Sequence, residues 1–340
     1  MKKGKKVIIV GGGIAGMQTA ATLLRLGFLP VVLEKSDKLG GKLNDWHCLF
    51  PSFTPAREVL EGLKAQLAGT EIHTGAAVEA VTSTGVTLAD GSRMESDAVV
   101  VASGFELFDA ALKEEYGYGI YGNVITSADL ERMFNEGRVC TADGKIPQKI
   151  ALLHCVGSRD EKVNQRHCSK MCCITGVKQA IELKQLIPGV DIFSFYMDMR
   201  MFGSGYEEMY RQAQQEYNIH FIRGRISEAS ETIDRKIQVK AEDTLIGRPL
   251  KMTVDMLILL VGMSAGKSNA RISEQNPFVV LQPSGFLQPS DSFLNNACSG
   301  EEGLFYAGAA TAPKNVGESL NEGVAAAERV AQYLNGKAQG

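Results

Sequence analysis

The 340-residue chain has no apolar run long enough to cross a bilayer. Its longest candidates, such as LILLVG, are strand-sized, against the ~20 residues a spanning helix needs. It has no surplus of either charge: Lys and Arg number 36, Asp and Glu 39, for a net −3. That balance gives no electrostatic reason to expect nucleic acid or an anionic membrane as partner. There is no recognisable export signal. MKKGKKVIIVGGG carries positive charge but only VIIV before its glycines, a poor leader and a good first strand. Repeats and low-complexity segments are missing too. These absences lead to the expectation of a cytoplasmic protein, whose cysteines stay reduced. In that setting a tight cysteine group is more often metal-binding or catalytic than a structural disulfide.

What remains is ordinary for a globular protein, with 44% hydrophobic and 22% charged residues, and the length allows two cores. The opening reads strand (KKVIIV), glycine-rich turn, helix (MQTAATLLRLG) and strand (PVVLEKS). A hairpin-like region, AAVEAVTSTGVTLADGSRMESDAVVVASG, turns at Asp90-Gly91. From about Lys149 a second alternation begins, with KIALLHCVG, TGVKQAIELKQLI, DIFSFYMDM and YEEMYRQAQQEY, followed by strands. The stretch from Ser264 to Ser299 reads as connection and flap, and the tail as one more strand and an Ala-rich helix. Alternating strands and helices predict a parallel sheet in each unit. The expected class is α/β, with two Rossmann-like dinucleotide-binding-type domains, the second inserted into the first. The expected boundaries are 1–145 with 263–340, and 146–262.

Gly11-x-Gly13-x-x-Gly16 follows a strand, opens a helix and is answered by Glu34 at the end of the next strand. That context raises a weak pattern to a dinucleotide fingerprint. The glycines allow the tight turn, close approach of a pyrophosphate, and helix–strand packing. The helix amino terminus, from Ile14 and Ala15, offers N–H groups to phosphate, and Glu34 can accept from a ribose. NAD and FAD share this fingerprint. A second copy would follow KIALLHC in a pyridine-nucleotide disulfide reductase. There, Gly157 is the sole glycine before the next cysteine, so direct NAD(P)H oxidation is not expected at that position.

Four of the seven cysteines lie between Cys155 and Cys173, spaced Cys-x12-Cys-x3-Cys-Cys over Cys155, Cys168, Cys172 and Cys173. Their hydrophilic neighbours argue against buried packing. No pair has Cys-x-x-Cys spacing for a redox dithiol. A Cys172–Cys173 disulfide is possible but strained, and only Cys168/Cys172 approaches a zinc knuckle. Four thiolates suit a [4Fe–4S] cluster, with the amides at the start of the next helix as donors to sulfur. Arg159, Lys162, Arg166 and Lys170 offset the ligand charge. An FAD protein with structural zinc remains an alternative. Cys48, following the glycine pair Gly40-Gly41, is a candidate for a place near the flavin. Cys140 and Cys298 read as ordinary, and His47 and His154 as packing residues.

LGGKL (Leu39 to Leu43), VVVASG (ending at Gly104) and GLFYAG (ending at Gly308) together resemble the thioredoxin reductase-like flavoproteins along nearly the whole chain. This resemblance implies FAD. It implies flavin contacts from Gly41, Lys42 and Leu43, and an adenine contact near Val78. Further contacts are implied from Lys35, from Ala102, Ser103 and Gly104, from Gly308 and Ala309, and from Lys314, Asn315 and Val316 at the tail helix. Ala309 stands where that class has an Asp. HCVGSRD…HCSKMCC, YMDMRMFGSGYEEMYRQAQQEYNIHFIRGRI, EYGYGIYGNVITSADLERM and APKNVGESLNEGVAAA resemble the heterodisulfide reductase A-type family. That resemblance implies a [4Fe–4S] cluster on the four cysteines, B- and C-like partner subunits, a homodimer, and no catalytic residue for the sulfur chemistry on this chain. Methanogen members carry ferredoxin-like Cys-x2-Cys-x2-Cys-x3-Cys-Pro segments that are missing here. The resemblance is therefore to the short subunits of sulfur-oxidising microbes. A self-sufficient NAD(P)H-dependent disulfide reductase with an active dithiol is the competing expectation.

Overall fold

The computed structural model describes residues 4–337, which form two compact units. Unit 1 comprises residues 4–44, 56–106 and 264–337, and unit 2 residues 45–55 and 107–263.

Unit 1 is built on five parallel strands in the order Leu304–Tyr306, Ala98–Val101, Lys6–Val10, Leu29–Leu33, Glu71–His73. Val7 to Val10, Val31 to Leu33 and Ala98 to Val101 are buried without alternation, as strands covered on both faces must be. The helices Ile14–Arg25 and Val316–Gly336 pack together. Their approach is close: a Cβ on Gly323 would meet the Ala15 carbonyl oxygen at 2.6 Å, and Thr19 Oγ1 donates to that oxygen and to the Gly323 carbonyl. The hairpin turn at Asp90-Gly91 forms between the strands Gly85–Leu88 and Arg93–Glu95. Ala98–Val101, by contrast, leaves the hairpin and enters the parallel sheet beside Lys6–Val10. The expected flap contains a helix, Lys267–Gln275, which buries Ile272.

Unit 2 repeats the plan, with parallel strands in the order Val124–Thr126, Met256–Val261, Lys149–Val156, Asp191–Tyr196, His220–Arg223. An antiparallel sheet, Ile226–Glu231, Ile237–Asp243 and Arg248–Val254, accompanies them. Ile150, Leu152, Ile192 and Ile258 face one core, while Ala151, Leu153, Leu257 and Leu259 face the other. The unit starts earlier in the chain than the sequence suggests. Val124–Thr126 is an edge strand of its sheet, which brings 107–145 with it, and 45–55 also falls here.

In each unit the central strand of the parallel sheet runs into a helix through the connection at its carboxyl end. In unit 1 that connection is the Gly11–Gly13 turn. In unit 2 it is the long loop from Gly157 to Met171, entered through a bulge between Leu153 and Val156. Cys155 sits in the bulge with φ +61°, where an extra residue re-aims the side chain. The loop is anchored by a buried carboxylate. Asp160 accepts from Lys113 Nζ and Arg225, both at 2.7 Å, and caps the turn Glu161–Val163 by accepting from the Lys162 N–H. Inside the loop the Ser158 and Ser169 hydroxyls lie 2.7 Å apart, and Ser169 Oγ accepts from the Met263 N–H.

Burial alone raises the Asp160 carboxyl, but the Lys113 and Arg225 hydrogen bonds override it and hold the pKa to about 2. Removing the carboxylate leaves a buried ammonium short of its counter-charge. Asp160→Ala is expected to cost about 3–5 kcal/mol in denaturant unfolding. Since the folded-state pKa lies below the usual Asp value of about 3.9, the contribution is complete above that pH. It disappears as pH falls towards about 2. An unfolding midpoint as acid-sensitive in Asp160→Ala as in the parent would contradict this.

Candidate functional site

The unit 1 turn is tight for reasons visible atom by atom. Gly11 has φ +112°, and a Cβ there would meet the Ala102 carbonyl oxygen at 2.3 Å. A Cβ on Gly16 would lie 1.9 Å from the Gly11 carbonyl oxygen. Gly13 differs, since its Cβ direction is open, with nothing within 4 Å. Gly13 is also the N-cap of the helix Ile14–Arg25 and supplies no side-chain cap. The first-turn amides, from Ile14 on, therefore keep donor capacity beside open space. The Gly40 N–H donates to the Gly12 carbonyl at 2.8 Å, and a Cβ on Gly41 would meet Gly13 Cα at 3.2 Å. This brings the Gly41–Leu43 segment against the turn, with Leu43 buried and Lys42 over the Phe105 ring.

Glu34 is buried and already organised. Its Oε2 accepts from the Gly12 N–H at 2.7 Å, and its Oε1 accepts from the Ser36 N–H and hydroxyl at 2.8 Å. The carboxylate thus fastens the turn as well as presenting lone pairs. Lys35 is exposed, and Val78 is half-buried opposite Leu88. Ala102 closes over Gly11, Ser103 donates to Asn269 Oδ1 at 2.7 Å, and Gly104 has φ +71° with open space where its Cβ would be. Gly308, at φ +69°, lies against Ala15, and Ala309 is buried. Lys314 donates to the Gly308 carbonyl at 3.0 Å and pairs with Glu322 at 2.6 Å. Asn315 and Glu318 form a reciprocal capping box ahead of Val316. Gly11, Gly13, Gly41, Ala102 and Gly308 therefore meet around one helix amino terminus. The open Cβ directions at Gly13 and Gly104 leave the backbone there free for the close approach a pyrophosphate needs.

The end of the strand Lys149–Val156 and the start of the helix Cys172–Leu186 bring Cys155 and Cys172 together, with Cys173 next to Cys172. Cys155, Cys172 and Cys173 are buried, and Cys168 is half-buried on the loop. Cys155 Sγ and Cys172 Sγ stand 3.6 Å apart, and all four cysteines are free thiols. Cys172 and Cys173 open the helix Cys172–Leu186, whose N-cap, Met171, offers no side-chain cap. The Lys170 N–H points at Cys168 Sγ from 3.4 Å, with Lys170 itself in the left-handed region. Cys172 is the shared partner. Its hydrogen bond draws the Cys173 thiol down to about 4 against burial, helped by His154, and also lowers Cys155. Those same contacts with Cys155 and Cys173 raise Cys172 well above the ordinary thiol range.

Of the basic residues expected to balance the thiolates, Arg159 is placed for it. It carries the charge of Cys155 and Cys168 and pairs with Asp198 at 2.8 Å. Lys162 and Arg166 are exposed, and Arg166 faces Glu161. Arg200 acts on Cys155 and its backbone on Cys173, a contribution no local pattern signals. His154 packs under the helix, donating to or accepting from Ser194 Oγ at 2.7 Å. Electropositive surroundings, uncapped amides and converging sulfurs are what a thiolate-ligated cluster requires, so the donor set fits one.

Cys48 falls in unit 2 beside Glu182, and His47 is hydrogen-bonded to that carboxylate at 2.9 Å rather than simply packed. Cys140 and Cys298 are half-buried thiols. No helix among the described residues is long and apolar enough to cross a membrane.

The family model described as pyridine nucleotide-disulphide oxidoreductase matches residues 1–133. Among solved structures, thioredoxin reductase from T. acidophilum superposes with a TM-score of 0.69 at 18% identity, covering 96% of this chain and 98% of that one. The Lactococcus lactis thioredoxin reductase gives 0.70 at 17% identity, covering 98% and 99%. These likenesses show the fold, α/β with two domains. The iron-sulfur A-type chain of CoB--CoM heterodisulfide reductase from Methanocaldococcus jannaschii is 37% identical over 247 residues, which is 70% of this chain and 37% of the relative. Its Methanopyrus kandleri counterpart, the second A-type chain of that organism, is 39% identical over 247 residues, covering 71% and 38%. The chain thus spans a little over a third of the length of these curated relatives. Across that shared stretch the chain is a homologue of the heterodisulfide reductase A-type iron-sulfur chains, built on a thioredoxin reductase-like α/β fold.

Proposed function

We propose that the chain is an electron-transfer component that holds FAD at the unit 1 turn and a [4Fe–4S] cluster on Cys155, Cys168, Cys172 and Cys173. The observation that carries this reading is the convergence of Cys155, Cys172 and Cys173 at an uncapped helix terminus, in the connection where unit 1 has its glycine turn. In a dinucleotide-binding unit that connection cradles pyrophosphate. In unit 2 the cysteine loop fills it, which supports a metal cluster there and argues against a second nucleotide.

When bound, FAD supplies the exchange between two-electron and one-electron transfer, and the cluster a one-electron relay. The chain's own residues bind, orient and tune. The amides from Ile14 onward would receive the pyrophosphate, and Glu34 the ribose, its orientation fixed by Gly12 and Ser36. Gly41, Lys42 and Leu43, with Ala102, Ser103, Gly104, Gly308 and Ala309, would line the rest. Lys314 is tied to Gly308 and Glu322, so its part is to fix the loop ahead of the tail helix. Arg159 and Arg200 lower the cost of gathering thiolates, and the amides of Cys172 and Cys173 are positioned to donate to sulfur. The disulfide or sulfur chemistry would reside on B- and C-like partner subunits, with the chain as a homodimer in a reducing cytoplasm. Its reaction would lie in disulfide reduction, which the names of its relatives describe, or in sulfur-compound oxidation.

Two substitutions separate the sites. Gly13→Ala meets no protein atom within 4 Å, so thermal stability of the flavin-free protein should stay within about 1 kcal/mol of the parent. Flavin content should fall at least tenfold, read from the absorbance of flavin released by acid. Cys172→Ala should do the reverse: iron and acid-labile sulfide from anaerobic preparations drop to background while flavin is retained. Iron and sulfide retained in full in Cys172→Ala, or metal-free wild-type protein with full flavin, would refute the cluster. Rapid bleaching of the flavin by NADH or NADPH with turnover of an artificial disulfide would instead support the self-sufficient reductase.

A further inference from the structure

Unit 2 contains a second set of ligand-type side chains that neither the glycine turn nor the cysteine loop uses. His47 Nδ1, Cys48 Sγ and a carboxylate oxygen of Glu182 lie within 4.8 Å of one another. They come from two distant places: His47 and Cys48 at the start of the short strand Cys48–Leu49, and Glu182 in the third turn of the helix Cys172–Leu186. Each is held from behind. The His47 N–H donates to Glu131 Oε2 at 2.9 Å, and its ring leans on Phe134, 5.8 Å between centroids. Lys178 Nζ donates to the Cys48 carbonyl at 3.0 Å and to Glu131 Oε1 at 2.7 Å. Gln179 Nε2 adds a bond to Glu131 Oε1 at 2.6 Å.

This frame has one loose end. The Glu182 side chain is only 6% exposed, and its Oε2 is ion-paired with the Lys178 ammonium at 3.0 Å, outside the geometry of a full hydrogen bond. A carboxylate oxygen held mainly by charge keeps lone pairs for a further ligand. The charges also leave room for a cation, since two carboxylates, Glu131 and Glu182, face one buried ammonium. The His47 side chain is 40% exposed, so the group can be reached from solvent.

We propose that His47, Cys48 and Glu182 bind one divalent transition-metal cation of the zinc class, leaving a fourth position open. Imidazole, thiolate and carboxylate are the ligands zinc takes, whereas calcium and magnesium call for oxygen sets. On binding, the Cys48 S–H bond breaks and its proton goes to solvent, the His47 Nδ1 proton shared with Glu182 Oε1 moves through solvent to Nε2, and sulfur–metal, nitrogen–metal and oxygen–metal bonds form. A dication with the Cys48 thiolate and the Glu182 carboxylate sums to zero charge, and so does the Lys178–Glu131 pair behind it. The support is of the kind metal sites need around their ligands. No electron is transferred, so the site is independent of the redox reading above.

The test uses the full chain, purified anaerobically with its cofactors, dialysed against Zn2+, with bound zinc, iron and sulfide counted. Wild type should take up about one zinc per chain, while Cys48→Ser and Glu182→Gln weaken uptake on the order of tenfold or more with iron unchanged. Cys173→Ser should lose iron and keep the zinc. One measurement needs no variant: Zn2+ should slow iodoacetamide alkylation of Cys48, mapped by mass spectrometry, and leave Cys140 at its own rate. Equal zinc uptake by wild type and Cys48→Ser, or a Cys48 alkylation rate indifferent to Zn2+, overturns the proposal.

Discussion

Amide groups left without partners at the start of a helix are the constraint around which both units are arranged. A parallel strand that runs into a helix ends with several N–H groups aimed at the carboxyl edge of the sheet, and the intervening connection decides what meets them. In unit 1 the connection is so short that only glycine fits at Gly11 and Gly16. The space kept open at Gly13 is a consequence of that shortness. In unit 2 the connection runs from Gly157 to Met171, and two cysteines occupy the first helical positions instead. One topological slot is therefore lined in two ways, set by loop length and by the residue type placed at the helix start.

Long connections need anchors, and unit 2 supplies them as buried ion pairs. Asp160 with Lys113 and Arg225 fixes one end of the loop, and Lys178 with Glu131 and Glu182 ties the helix behind it to the segment around His47. Burial opposes the charge of Lys178, but Glu131 and Glu182 keep its pKa above the ordinary value. Burial raises the carboxyl of Glu182 despite Lys178, and Cys48, facing Glu182, is raised by burial as well. Such networks add little net stability compared with apolar packing. They do fix positions, because any rearrangement would strand a charge away from both water and its partner.

How much of this was legible follows from how local each signal is. The strand–turn–helix–strand beginning at Lys6 shows in the sequence because its spacing, glycines and closing acid all lie within about thirty residues of chain. The fold class was readable from the alternation of strands and helices, and the structural comparisons agree with it. Ala98–Val101 read as part of a hairpin because periodicity does not say which sheet a strand joins. Val124–Thr126 and residues 45–55 fall across the expected boundary for the same reason, since the strand partners that assign them lie far along the chain. Arg200, close to Cys155 and Cys173 in space, carries no sequence mark that ties it to them. Glu182 and Lys178 read as one turn of an ordinary helix, and nothing near them in sequence announces His47, 135 positions away.

The packing of the tail helix on the helix Ile14–Arg25 carries a consequence for biosynthesis. Unit 1 opens with Lys6–Val10 but is closed only by its edge strand Leu304–Tyr306 and the helix Val316–Gly336. Every strand of unit 2 leaves the ribosome before those two elements do. The cysteine-bearing unit is thus complete while the glycine turn still lacks the helix that presses against Ala15. Chain order therefore lets the cysteine loop meet its anchors before the glycine turn meets its last helix.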